Sequence, residues 1–186
     1  MELRRLEVYR VKMKLKNPFE TSFGKTVYRY ALIIRLIGEG GEEGWGEVVA
    51  DRTPSYSYET VNTAEHIIRD FIAPVLDKVE EPEDIIRETN WIRGHNMAKA
   101  GVEMALWDLK AKLESKPLSE LIGGIRNKIL SGVSIGIQEN IEKLLKRVEF
   151  FISTGYKRIK IKIKPGWDIK PVKELRKEYP DILLQV

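Results

Sequence analysis

In the stretch "RIKIKIKPGWD" (158–168), lysines stand at 160, 162 and 164, and isoleucines at 159, 161 and 163. Side chains of a strand alternate faces with period 2. One face of such a strand is wholly apolar and β-branched; the other carries a row of amines. A lysine beside a second cation loses part of its preference for the ammonium form, so a neutral amine able to take a proton becomes accessible near neutral pH. The plainer alternative is an edge strand whose lysines are solvated and guard it against aggregation. Both fit the stretch taken alone.

The elements around it must decide. Downstream of 126 the pattern is strand, helix, strand, helix, strand. "ILSGVSIGI" (129–137) reads as a largely apolar strand. Asn140 can cap a helix whose Ile141, Leu144, Leu145, Val148, Phe151 and Ile152 line one face, and Gly155 ends it. The lysine strand follows. Asp168 caps a further helix over 169–179, and "ILLQV" (182–186) is a third strand. This order implies parallel pairing with right-handed crossovers. An open doubly wound sheet and a closed (β/α) barrel both meet that description. Neither "SIGIQEN" nor "KIKPGWD" has Gly-x-Gly-x-x-Gly spacing, which disfavours a dinucleotide fold. In a barrel, inward residues near the C-terminal strand ends build the active site. Lys160 and Lys162 would then face inward near the mouth, joined by Ser134 of the preceding strand.

Upstream the grammar differs. Residues 3–16, 28–38 and 45–50 read as three strands with short connections, an antiparallel meander. Pro18 and Gly24 mark 17–26 as a loop, and 51–59 is a second loop. Helical spacing of apolar residues begins near Ser57, with Pro74 expected to break or kink the helix. Further helices are expected over 81–92 and 96–115, the latter apolar on more than one face and therefore buried. A short helix and the pair Gly123–Gly124 close this region.

Totals narrow the function classes. The 186 residues are 42% hydrophobic and 32% charged, a balance suited to a globular core. No run of about 18 apolar residues spans a membrane, and the N-terminus lacks an apolar signal core, so the cytoplasm is the expected compartment. Without cysteine there is no disulfide and no thiolate site. The net charge is +4, but acids and bases are interspersed. Only 157–164 is a basic run, and isoleucines interrupt it, so a nucleic-acid module is a poor fit. His66 and His95, the two histidines, sit in helical contexts and read as structural.

The chain resembles the enolase superfamily, in its branch of o-succinylbenzoate synthases and N-acylamino acid racemases. The resemblance rests on "PFETSFG" (18–24), "GWGEVVA" (44–50), "PSYSYE" (54–59), "GHNMAKAGVEMALWDL" (94–109), "GVSIGI" (132–137) and "GYKRIKIKIKPGWD" (155–168), in order and together. It implies an α+β capping domain (1–125), a three-stranded antiparallel meander plus helices. The first β-α-β-α-β part of an incomplete TIM-type barrel (126–186) follows. A full barrel needs about 250 residues.

The resemblance further implies removal of a proton alpha to a carboxylate. A Lys or His base working with Mg²⁺ is the superfamily's known arrangement. Lys162 matches the acid/base and Lys160 the lysine flanking it. Ser134 matches a substrate-contacting strand position, and Phe19, Phe23 and Tyr56 match capping-loop positions. For these three aromatics the alternative is core packing. Lys164 is expected at the rim with no catalytic part. The metal ligands are expected beyond Val186, so none is assigned here, and Mg²⁺ or another divalent cation is expected only in the full-length protein.

The implied reaction is syn-dehydration to o-succinylbenzoate for menaquinone synthesis, with N-acylamino acid racemisation as the alternative and dipeptide epimerisation more remote. The 186 residues alone are expected to be inactive. A non-catalytic fragment and half of a split enzyme are the readings from a different class. The expected partners are a small carboxylate substrate and either further copies in a homo-oligomer or a complementing barrel fragment.

Overall fold

A computed structural model describes residues 1–186. They form two compact units: Met1–Met13 with Arg29–Ile125, and Lys14–Tyr28 with Arg126–Val186.

One sheet has the order β1-β2-β3, with β1 Leu3–Thr21, β2 Gly24–Gly38 and β3 Glu43–Val48; β3 and the parts of β1 and β2 outside Lys14–Tyr28 belong to the first unit. On β2 the alternation is strict: Leu32, Ile34 and Leu36 are fully buried, while Ile33, Arg35 and Ile37 are half-buried on the other face. Their antiparallel partners on the buried face are Val48, Gly46 and Gly44. Those two glycines let helix α3 (Asn96–Leu113) lie directly on the sheet. A Cβ at Gly46 would stand 2.0 Å from the Gly101 carbonyl oxygen, and one at Gly44 would stand 2.1 Å from that of Ala105. Helix α3 turns Ala98, Gly101, Val102, Ala105, Leu106 and Leu109 inward, a continuous helical stripe.

Loop 17–26, expected from Pro18 and Gly24, is instead strand. β1 runs through Pro18 to Thr21, and only Ser22 and Phe23 turn the chain before β2 begins at Gly24. β1 lies at the sheet edge, where a residue without an N–H is tolerated. The Thr21 hydroxyl accepts from the Phe23 N–H at 3.2 Å and closes the turn.

Two helices differ from expectation at their ends. Helix α1 (Val61–Ile67) starts later than Ser57, because Thr60 and Thr63 form a reciprocal capping box there. At Pro74 the helical path does change. The Ala73 N–H reaches back five residues to Ile68, making a π turn over Ile68–Ile72, and a 3₁₀ segment follows over Ala73–Lys78. Helix α2 covers only Asp84–Glu88, not 81–92. The buried Thr89 hydroxyl bonds the Ile85 carbonyl at 2.6 Å, and the chain then leaves helical geometry. A one-turn helix α4 occupies Leu118–Leu121.

The second unit contains the parallel sheet β4-β5-β6: Gly132–Ile135, Arg158–Ile161 and Leu183–Gln185. β4 is shorter than the expected 129–137; Ile129 and Leu130 are exposed. Helix α5 (Ile141–Ser153) is capped by Asn140, whose side chain accepts from the Lys143 N–H at 2.8 Å. Helix α6 (Ile169–Glu178) is capped by Asp168. Ile159 and Ile161 are buried in one apolar cluster with Leu144 and Val148 of α5 and Leu175 of α6. The hairpin Lys14–Tyr28 belongs to this unit. No helix of the chain is long and apolar enough to cross a membrane.

Candidate functional site

The apolar face of β5 is covered by helices, which leaves its lysines on the opposite face. Parallel register sets Ser134 beside Lys160, and Lys160 beside Gln185. Register partners on adjacent strands project from the same side of a sheet. Ser134, Lys160 and Gln185 therefore form one row across three strands. The Lys162 N–H donates to the Ile135 carbonyl at 2.9 Å, carrying the alignment one step past the ladder. By period 2, Lys162 continues the Lys160 side of the strand. Lys160 and Lys162 are half-buried, and Ser134 is exposed.

β5 ends at Ile161, short of the alternation that runs to Lys164 in the sequence, and Lys164 lies in the turn that follows. Pro165 and Gly166 then turn the chain, with the Trp167 N–H donating to the Lys164 carbonyl at 2.8 Å and the Lys164 N–H to the Trp167 carbonyl at 3.1 Å. Gly166 takes φ 80°, as the third position of a type II turn requires.

The hairpin Lys14–Tyr28 meets these strand ends. The Ile137 N–H donates to the Glu20 carbonyl at 2.9 Å. The Glu20 carboxylate accepts from Lys164 Nζ at 2.8 Å. This bond and the Lys164 charge hold the Glu20 carboxyl below the usual carboxylate range; burial opposes them and Lys25 adds to them. Gly136 is the point of close approach: a Cβ there would lie 3.0 Å from the Glu20 nitrogen and 3.3 Å from the Phe19 ring. An open cleft of about 850 Å³ runs between hairpin and strand end, lined by Phe19, Glu20, Ser134, Gly136, Gln138 and Lys164 among others. Its lining includes neither Lys160 nor Lys162.

The structure thus brings Ser134, Lys160 and Lys162 onto one sheet face, and Phe19 and Ser134 onto one cleft. Phe23 is at the hairpin tip and 75% exposed. Tyr56 belongs to the first unit, in the 51–59 loop, and is 81% exposed. Core packing is therefore not the role of either ring. No three His, Asp or Glu side chains converge anywhere in the chain to hold a metal ion.

Two polar neighbours escaped the sequence reading. Gln185 could have been found, since alternation in "LLQV" sets it apart from its buried-side neighbour Leu184. Glu20 could not: its partner Lys164 lies 144 residues away.

The family described as "Mandelate racemase / muconate lactonizing enzyme, N-terminal domain" matches residues 4–123. An o-succinylbenzoate synthase of Geobacillus stearothermophilus is 43% identical over 176 residues, covering 94% of this chain and 47% of that protein. An N-succinylamino acid racemase of Thermus thermophilus is 42% identical over 186 residues, covering 99% of this chain and 50% of that protein. The crystal structure of an enolase-superfamily member from Listeria innocua superposes with a TM-score of 0.91 at 39% identity, covering 99% of this chain and 50% of that one. The chain spans about half the length of the curated relatives it matches.

Proposed function

The chain belongs to the mandelate racemase / muconate lactonizing enzyme family of the enolase superfamily, and on that premise we propose that the whole protein is an o-succinylbenzoate synthase-like lyase. It removes a proton alpha to a carboxylate and expels hydroxide from the neighbouring carbon. The observation that carries this reading is the row Ser134–Lys160–Gln185 with Lys162 next on the same face, at the C-terminal ends of parallel strands. Amines there are ordered by the sheet and backed by a packed apolar layer, so their placement costs little when substrate binds.

Lys162 is proposed as the acid/base that takes the alpha proton on Nζ, and Lys160 as its flanking cation. A cation beside the base attracts the carboxylate of the substrate. Ser134 is proposed to hydrogen-bond the substrate. Phe19 and Phe23 on the hairpin, and Tyr56 on its own loop, are proposed to pack against it and exclude water. We also propose a domain boundary between 125 and 126.

The resemblance implies Mg²⁺ for the whole protein, where a divalent cation offsets charge developing on carboxylate oxygens. The residues of this chain do not fit that group, since they form no cluster of three ligands. What the chain contributes is proton transfer and substrate contact. A homo-oligomer and a cytoplasmic location are proposed for the whole protein.

The test is turnover of 2-succinyl-6-hydroxy-2,4-cyclohexadiene-1-carboxylate by the whole protein with Mg²⁺. Water loss that disappears in Lys162→Ala is expected; activity retained in that variant would sink the assignment. Racemisation of N-succinylamino acids is the second reading, favoured by the 42% identity to the racemase of Thermus thermophilus. Deuterium uptake from solvent at the alpha carbon, with inversion and without water loss, would select it.

A further inference from the structure

Glu20 is held twice by the strand ends. Its carbonyl accepts from Ile137, two residues past β4, and its carboxylate accepts from Lys164, three residues past β5. Phe19 precedes it and Phe23 follows it closely. The same residue therefore ties the hairpin to the strand bearing Ser134 and to the strand bearing the paired lysines.

An isolated ion pair at the surface stabilises little, because two flexible side chains must be ordered to make it. Here both backbones are ordered already. Glu20 is fixed by the Ile137 bond, and Gly136 admits its main chain at close range. Lys164 is fixed by two hydrogen bonds across the tight turn with Trp167. The pair is also partly shielded, with side-chain exposures of 43% for Lys164 and 32% for Glu20. Preorganisation of this kind lowers the ordering cost of a contact. Lys25 is a further cation acting on Glu20.

We propose that Glu20 and Lys164 are positioning residues: their ion pair clasps the hairpin to the strand ends and so sets Phe19 and Phe23 for substrate binding. The clasp takes no part in proton transfer. This rests on the reading of Phe19 and Phe23 as substrate contacts given above.

The experiment uses the whole protein with three single variants, Lys164→Met, Glu20→Gln and the conservative Lys164→Arg, and the exchanged pair Glu20→Lys with Lys164→Glu. Hydrogen exchange of the Ile137 amide reports docking independently of activity. Expected are exchange about two- to fivefold faster in Lys164→Met and Glu20→Gln, and a KM raised by a similar factor with kcat nearly unchanged. Lys164→Arg and the exchanged pair should return both toward the parent values. Unchanged Ile137 exchange in both charge-removing variants would overturn the clasp. Faster exchange with an unmoved KM would overturn its role in substrate binding. If the parent protein turns over no carboxylate substrate, the reading it rests on fails, while the exchange data still judge the clasp.

Discussion

Ser134 and Lys160 are register partners on neighbouring parallel strands, so their side chains leave the same face of the sheet. The opposite face is sealed by Ile159 and Ile161, both fully buried under α5 and α6. A substitution on one face therefore tests chemistry and one on the other tests packing. Ile159→Ala should cost about 2–5 kcal/mol of stability by opening a cavity, seen as an earlier urea midpoint.

Lys162→Ala should lower kcat of the whole protein by about 10²–10⁴, the range for a positioned acid/base. Its urea midpoint should stay near that of the parent, because the side chain faces away from the packed layer. Lys160→Ala should cost less. Equal losses from the two would mean that both move protons.

Glu20 titrates below the usual carboxylate range because Lys164 bonds its ionised form, with Lys25 adding its charge. The docked hairpin thus favours ionised Glu20. The gain is complete above the unfolded value of about 4.3 and is lost as pH falls through the lowered one. Ile137 amide protection, corrected for intrinsic exchange, should be flat from neutrality to about pH 5 and decline only below about pH 4. Added salt at neutral pH should weaken it in the same direction. Protection that is indifferent to both would remove the electrostatic part of the clasp.

Gly46→Ala should destabilise the first unit by about 3 kcal/mol or prevent folding. The added methyl would meet the Gly101 carbonyl of α3 at 2.0 Å, and neither backbone can yield without separating sheet from helix. Gly41→Ala is the comparison. Its φ of 91° strains a side chain, but nothing lies within 4 Å, and about 1 kcal/mol is expected. Chemical denaturation of both variants separates packing from backbone strain.

Glu59 is buried, and its carboxylate accepts from the Met97 and Ala98 N–H groups at 2.9 and 3.1 Å, closing the first turn of α3. Glu59→Ala should cost about 2–3 kcal/mol, since two donors lose a charged acceptor at a helix N-terminus. Glu59→Gln keeps one acceptor oxygen and should cost about half of that. Equal midpoints for the two variants would show that the charge, not the bond count, matters.

What the sequence made legible was periodicity. The alternation of β2, the apolar helix over 96–115 and the caps at Asn140 and Asp168 are local signals that the elements follow, whereas the Ile/Lys alternation of 158–164 outruns β5, which ends at Ile161. What stayed hidden depends on partners far along the chain. Pro18 read as a breaker because nothing local says that β1 is an edge strand. Glu59 sits 38 residues from the Met97 amide it caps. Gly44 and Gly46 read as turn and strand, and their value as a seat for α3 appears only once the helix is in place. Lys160 and Lys162 were legible as a pair, yet the Glu20 carboxylate beside their neighbour Lys164 was not.

The reach of that last contact has a kinetic consequence. Within the second unit, β4, α5, β5, α6 and β6 follow one another closely, so each pairs with near neighbours in the chain. The hairpin reaches Lys164 across 144 residues. Closing so long a loop costs entropy that only the finished strand ends can offset. The hairpin should therefore dock late during refolding. Pulse-labelled exchange should find the Ile137 amide protected after those of α5. Early protection of Ile137 would mean that the hairpin nucleates the sheet instead of settling onto it.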